Sequence, residues 1–107
     1  MTYRLLFRTE AKKEWDKLDG AIRSQFKKKL IERLEEPRVE SARLSGLRDC
    51  YKIKLRSAGY RLVYQVRDEE IVVSVVAVGK RERNAVYKAC LLYTSDAADE
   101  VVPGEIA

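Results

Sequence analysis

Four cationic side chains are the first candidates for chemistry in this chain: Lys52, Lys54, Arg61 and Arg81. In Tyr51-Lys52-Ile53-Lys54-Leu55-Arg56 apolar and basic residues alternate strictly, so in a strand Tyr51, Ile53 and Leu55 share one face and Lys52, Lys54 and Arg56 the other. After a turn at Ser57-Ala58-Gly59, Tyr60, Leu62, Tyr64 and Val66 share a face, which leaves Arg61, Val63, Gln65 and Arg67 opposite. If both apolar sets face the same helices, Arg61 joins the two lysines. Clustered like charges repel, and a protein tolerates them most easily when an anion sits among them. The same pattern also describes an ordinary solvated face.

If that anion is an RNA phosphodiester, cleavage needs a base for the 2′ proton, an acid for the departing 5′ oxygen and cations for the charge building on the phosphorus oxygens. Histidine commonly serves, and this chain has none. A lysine acts as base only when its neighbours lower its pKa from ~10.4, as a cluster of Lys52, Lys54 and Arg61 would. Arginine is a stiff phosphate clamp and a poor acid, so Arg81 is suited to electrostatic stabilisation. Such a site should cut free RNA weakly and gain most from something external that holds the substrate in line.

Other residues have a plain reading beside a sharper one. Tyr87, one to two helical turns past Arg81, suits stacking on a base, or a core position with its hydroxyl outside. Lys27, Lys28 and Lys29 form a solvated helix face or contact an RNA backbone. Arg43, Arg48, Arg56, Lys80 and Arg83 add further candidate RNA contacts. Trp15 falls at helical spacing with Ala11 and Leu18 and belongs to the core. Cys50 has no histidine to activate it and is not expected to be a catalytic thiol. No metal-ligand spacing, paired-carboxylate signature or phosphate loop is present, so neither metal nor cofactor is expected.

The elements that must position these residues follow from periodicity. Tyr3 to Phe7 reads as a strand, with Thr9 placed to cap a helix running to about Lys17. Asp19-Gly20 separates it from a longer helix ending near Pro37, on which Ile22, Phe26, Leu30 and Leu34 recur every fourth residue. The basic strands and a nearly unbroken apolar run, Ile71 to Val78, complete the sheet, and the apolar run suits a central strand covered on both sides. Gly79-Lys80-Arg81-Glu82-Arg83 leads into a last helix holding Val86 and Tyr87. The order βααβββα predicts an α+β fold, an antiparallel sheet with an N-terminal αα-hairpin packed on one face.

The chain has 107 residues, 46% of them hydrophobic, enough for one core without disulfide staples. Its net charge of +5 resolves into a tail from Ala89 with four acids and no base, and a body with a net charge of +9. That body calls for an anionic partner. Two cysteines are too few for a disulfide framework and fit a reducing cytoplasm. The short apolar N-terminus is not expected to be a signal peptide, and no run approaches the ~20 residues that span a bilayer, so no membrane partner is expected.

Asp49-Cys50-Tyr51-Lys52-Ile53-Lys54-Leu55-Arg56-Ser57, then Gly59-Tyr60-Arg61-Leu62-Val63-Tyr64-Gln65-Val66, resembles the core of the RelE toxins, of the RelE/ParE superfamily with its microbial-RNase-like fold. Val78-Gly79-Lys80-Arg81-Glu82-Arg83, Val86-Tyr87, Lys13-Glu14-Trp15, Lys17-Leu18 and Leu34-Glu35 continue the likeness, which covers about residues 1 to 88. The resemblance implies a ribosome-dependent endoribonuclease that cuts messenger RNA in the ribosomal A site by 2′-hydroxyl attack. It assigns Lys52 and Lys54 to base action and charge stabilisation, Arg61 to the transition state, Arg81 to the leaving group and Tyr87 to base stacking. It also implies a RelB-like antitoxin, a dimeric repressor through which the toxin meets operator DNA indirectly. Two departures stand out. Ser45 occupies the place of a family arginine, with Arg43 and Arg48 beside it. The acidic tail from about residue 90 to 107 replaces a short basic helix and reads as non-native or disordered, leaving residues 1–89 as the toxin domain. The competing functions are a gyrase-inhibiting toxin of the ParE kind and a non-catalytic basic module binding RNA or DNA.

Overall fold

The computed structural model describes residues 2–80 and the backbone of residues 101–103. The last helix expected around Val86 and Tyr87 lies outside these residues, as does most of the acidic tail. Strand β1 (Arg4–Arg8) passes without a linker into helix α1 (Thr9–Lys17), and α2 (Gly20–Glu35) follows. A 3₁₀ turn at Glu40–Ala42 precedes β2 (Cys50–Leu55), β3 (Tyr60–Arg67) and β4 (Val72–Lys80), and β5 (Val101–Pro103) closes the sheet. Because β1 stays extended to its last residue, the cap position of α1 falls on Arg8, which makes no side-chain cap, and Thr9 is the first helical residue instead of the expected cap.

The sheet order is β2-β3-β4-β1-β5. Strands β2, β3 and β4 form the expected antiparallel meander, but β1 joins β4 in parallel. The cause is where α2 ends: the Tyr3 amide donates to the Leu34 carbonyl at 2.9 Å, so the chain emerges from α2 beside the start of β1. Strand β2 then departs from the same end of the sheet. The short strand β5 pairs antiparallel with β1 through Val101 opposite Arg8, so part of the tail carries sheet structure.

Burial follows the two faces. Tyr51, Ile53, Leu55, Leu62, Tyr64, Val66, Val73 and Val75 join Phe7, Trp15, Phe26 and Leu30 in the main core beneath the helices. Trp15 lies between Phe7 and Phe26, with ring centroids 5.1 Å and 6.2 Å away, in the core position its spacing predicts. A smaller cluster, Leu47, Cys50, Val63, Val76 and Ala77, lies on the opposite face with Leu44 packed against it. Strand β4 is therefore central and covered on both sides, which is why its sequence shows no alternation. It begins at Val72 because Ile71, expected in the strand, adopts a left-handed backbone (φ 55°) in the turn closed by its amide on the Asp68 carbonyl.

Candidate nucleic-acid cleavage site

The face away from the helices carries the basic groups. In the β2–β3 ladder Lys54 stands directly opposite Arg61 and Lys52 opposite Val63. Directly opposed residues have Cβ atoms about 5 Å apart and diagonal neighbours about 7–8 Å, within reach of long side chains. Lys52, Lys54 and Arg61 thus share one half-buried patch. Hairpin geometry fixes it: Gly59, at φ +70°, turns the chain so that its amide donates to the Leu55 carbonyl at 2.8 Å, and glycine adopts that left-handed conformation without a Cβ penalty. The register it sets puts Arg61 against Lys54 and against Gly79 of β4.

Electrostatics follow from the same geometry. Lys54 is held below the ordinary lysine range, first by hydrogen-bonding contact with the Lys52 amine and by its charge, then by burial and by the charges of Arg61 and Arg56. Every group in that set which acts through charge is a cation, so the amine of Lys54 sheds its proton more readily than a solitary lysine does. Cys50, on the same face, behaves in the opposite way: burial, aided by Asp49 and opposed by Arg8, pushes its thiol up to about 11. It stays protonated and inert near neutrality.

The remaining candidates fall into three groups. Arg43, Leu44, Ser45, Gly46, Leu47 and Arg48 line a cleft of about 610 Å³ beside the start of β2. Arg43 and Arg48 are exposed there, with loose ion pairs to Glu40 at 3.9 Å and Asp49 at 3.8 Å, and the two basic residues flank Ser45. Arg56 in the hairpin turn and Lys80 at the end of β4 are exposed at the same end of the sheet as Lys54 and Arg61. Lys27 and Lys28 lie instead on α2, whose buried residues Phe26 and Leu30 pack on the other face, so they form a separate basic surface. Lys28 and Lys29 border a cleft of about 460 Å³ with Gln25, Ile31 and Glu32. Arg81, Arg83 and Tyr87 lie outside the described residues.

Sequence reasoning missed two arginines that hold the site's frame. Arg33 of α2 donates to the Lys52 carbonyl at 3.2 Å and to the Tyr64 hydroxyl at 2.8 Å. Its signal was its position, three residues after Leu30 and thus on the inward stripe of the helix. Arg38 bonds Asp68, Asp49 and the Tyr51 hydroxyl, joining the end of the helical layer to the start of β2 and the β3–β4 turn. Nothing in its neighbours along the chain announced these partners.

Comparison with known proteins agrees with this architecture. The model of the family described as "ParE toxin of type II toxin-antitoxin system, parDE" matches residues 5–85, and the chain belongs to that class of small toxins. Within the class it is a RelE-family toxin: it is 62% identical over 87 residues to the mRNA interferase toxin RelE of Escherichia coli strain K12, covering 81% of this chain and 92% of that protein. A double arginine-to-alanine mutant of Escherichia coli toxin RelE in the free state superposes with a TM-score of 0.83 at 56% identity, over 87% of this chain and 98% of that one. The toxin in the intact Escherichia coli RelBE toxin–antitoxin complex gives 0.73 at 62% identity, over 76% of this chain and 99% of that one.

Proposed function

We propose that this chain is an endoribonuclease that cuts messenger RNA in the ribosomal A site, stops translation in the cytoplasm, and is silenced by a RelB-like antitoxin. The observation that carries the reading is the half-buried trio of Lys52, Lys54 and Arg61, with Lys54 below its ordinary pKa. Relatives named mRNA interferase, and a related toxin crystallised with its antitoxin, support it. In this reading Lys54 takes the proton of the 2′ hydroxyl, whose oxygen attacks the phosphorus. The bond to the 5′ oxygen breaks, that oxygen takes up a proton from water as it leaves, and a cyclic phosphate remains on the upstream fragment. Lys52 and Arg61 hold the charge on the phosphorus oxygens, worth about 10²–10³ in rate for a single well-placed donor in other enzymes.

The remaining roles extend this scheme. Arg81 assists the departing 5′ oxygen and Tyr87 stacks on a base at the cut. Arg43, Arg48, Arg56, Lys80, Arg83, Lys27 and Lys28 contact RNA backbone. The ribosome supplies the alignment that a site without histidine lacks. No metal or cofactor enters the scheme, and operator DNA is met only through the antitoxin.

The decisive variants are Lys54→Ala and Arg81→Ala. Each should abolish cutting of a message on the ribosome while co-sedimentation with ribosomes persists. A non-catalytic basic module predicts the reverse, a modest and similar loss of binding for any lysine removed. Gyrase inhibition, the activity of the ParE kind, predicts that neither change protects a cell.

A further inference from the structure

Among the described residues strand β2 ends the sheet order, and its outer side meets only the Arg43–Tyr51 bridge and the Leu44 amide on the Cys50 carbonyl at 3.0 Å, so its backbone from Lys52 onward is less constrained than that of β3 or β4. Yet it carries both lysines of the site. From the helical side α2 reaches this strand's backbone with Arg33. The Arg33 guanidinium donates from Nη1 to the backbone oxygen of Lys52 at 3.2 Å and to the Tyr64 hydroxyl at 2.8 Å. That hydroxyl donates onward to the Pro37 carbonyl at 2.7 Å. The guanidinium carbon stands 5.8 Å from the centroid of the Tyr64 ring, and the ring stacks on Tyr51 at 5.7 Å. Tyr51 immediately precedes Lys52 and is the ladder partner of Tyr64. The backbone at Lys52 is therefore held from the helical side by the ring stack before it and by a charge-assisted hydrogen bond on its own carbonyl.

We propose that Arg33 is a positioning residue of the cleavage site: by holding the Lys52 carbonyl from the helical side, it fixes the edge strand so that the Lys52 and Lys54 side chains meet on the opposite face. The inference rests on the reading of those lysines as the cations of the reaction. Side-chain direction is tied to backbone rotation. A lysine amine lies about 6 Å from its Cα, so rotating the strand by about 20°, the size of the twist between neighbouring strands, moves it about 2 Å. Displacements of that order separate a productive arrangement from an unproductive one. The charged groups that act on Lys54 among the described residues are Lys52 on its own strand, Arg56 in the hairpin turn and Arg61 on β3. Arg33 is not among them, so its influence runs through geometry and not through its charge.

That distinction sets the experiment, in which the chain cuts a message on programmed ribosomes. Arg33→Met should lower kcat about tenfold while KM for ribosomes stays within about twofold, because only the alignment of reacting groups is lost. The rising limb of its rate against pH should move upward, since Lys54 parts from Lys52. Arg33→Gln keeps a hydrogen-bond donor without the charge and should recover most of the rate. Tyr64→Phe, which removes a partner of Arg33 and keeps the ring, should lower kcat less, and it carries the test if Arg33→Met does not fold. A titration of the Lys54 side chain followed by carbon-13 NMR gives a reading without ribosomes, and its midpoint should rise in Arg33→Met. Unchanged kcat and pH profile in both Arg33→Met and Tyr64→Phe would overturn the proposal, as would a loss confined to KM, or an Arg33→Gln variant that folds yet stays as slow as Arg33→Met. If the parent chain fails to cut on ribosomes, the functional reading falls, while the NMR midpoint still decides whether Arg33 sets the lysine pair.

Discussion

A lysine takes a proton from a hydroxyl only while its own amine is neutral, and at Lys54 three neighbouring cations favour that state. The direction gives a test. The rate of cutting should rise with pH along a limb lying below the ~10.4 of an isolated lysine. Lys52→Met removes the largest of the lowering influences, so the limb should move to higher pH, and a pH profile of single-turnover cutting reads the shift. A limb that moves down or stays fixed would deny Lys54 the role of base. Cys50 gives a second test at this scale. With its thiol buried and pushed up to about 11, it should resist alkylation at pH 8 in the folded chain and react only on unfolding, measured by mass spectrometry in a Cys90→Ser background. Lys52, Lys54 and Arg61 were legible because strand alternation has a period of two and depends on nothing remote. Arg33 signalled only its inward position on α2 and Arg38 nothing, because the partners of both lie on strands and turns remote in sequence.

At the end of the sheet away from Lys54 a polar cluster ties several elements together. Arg38 bridges Asp49 at 3.1 Å and Asp68, and the Tyr3 hydroxyl donates to Asp68 at 2.6 Å. Arg38 and Tyr3 hold the Asp68 carboxyl below its usual range, while the same interaction raises Tyr3. The folded state therefore binds a proton at Asp68 less readily than the unfolded state does, and the stability this contributes is present above the ordinary carboxylate pKa. It is lost as pH falls through the lower folded value. Asp68→Asn should consequently destabilise the chain at pH 7 and cost progressively less toward pH 2, measured by urea denaturation at both ends. Equal cost at both pH values would mean the carboxylate charge is irrelevant to the clamp.

The elements themselves were readable from periodicity: αα-hairpin, meander and central β4 all follow from apolar spacing. The parallel pairing of β1 was not, since it depends on where α2 delivers the chain, a length-and-packing outcome that no local pattern encodes. The left-handed Ile71 was hidden for a related reason. A β-branched residue there is locally disfavoured, and the fold imposes it to close the turn.

At the scale of the whole molecule, two basic surfaces among the described residues lie apart, the sheet face with Lys52, Lys54 and Arg61, and the outer face of α2 with Lys27 and Lys28. The core lies between them. The two should separate in experiment. Neutralising Lys27 and Lys28 together with glutamine should weaken ribosome association and reduce its salt dependence by roughly one counterion for each phosphate these lysines neutralise, leaving the cutting rate at saturating ribosomes unchanged. A fall in the saturated rate instead would place those lysines in the reaction. The central claim, that this is a nuclease which borrows its alignment from the ribosome, is tested most directly by mapping RNA ends after adding the purified chain to one message, either naked or paused on ribosomes. Breaks within the A-site codon that leave a 2′,3′-cyclic phosphate, present on ribosomes and near absent on naked RNA, are the predicted result. Equal cutting of both, or an intact message on the ribosome, would contradict it.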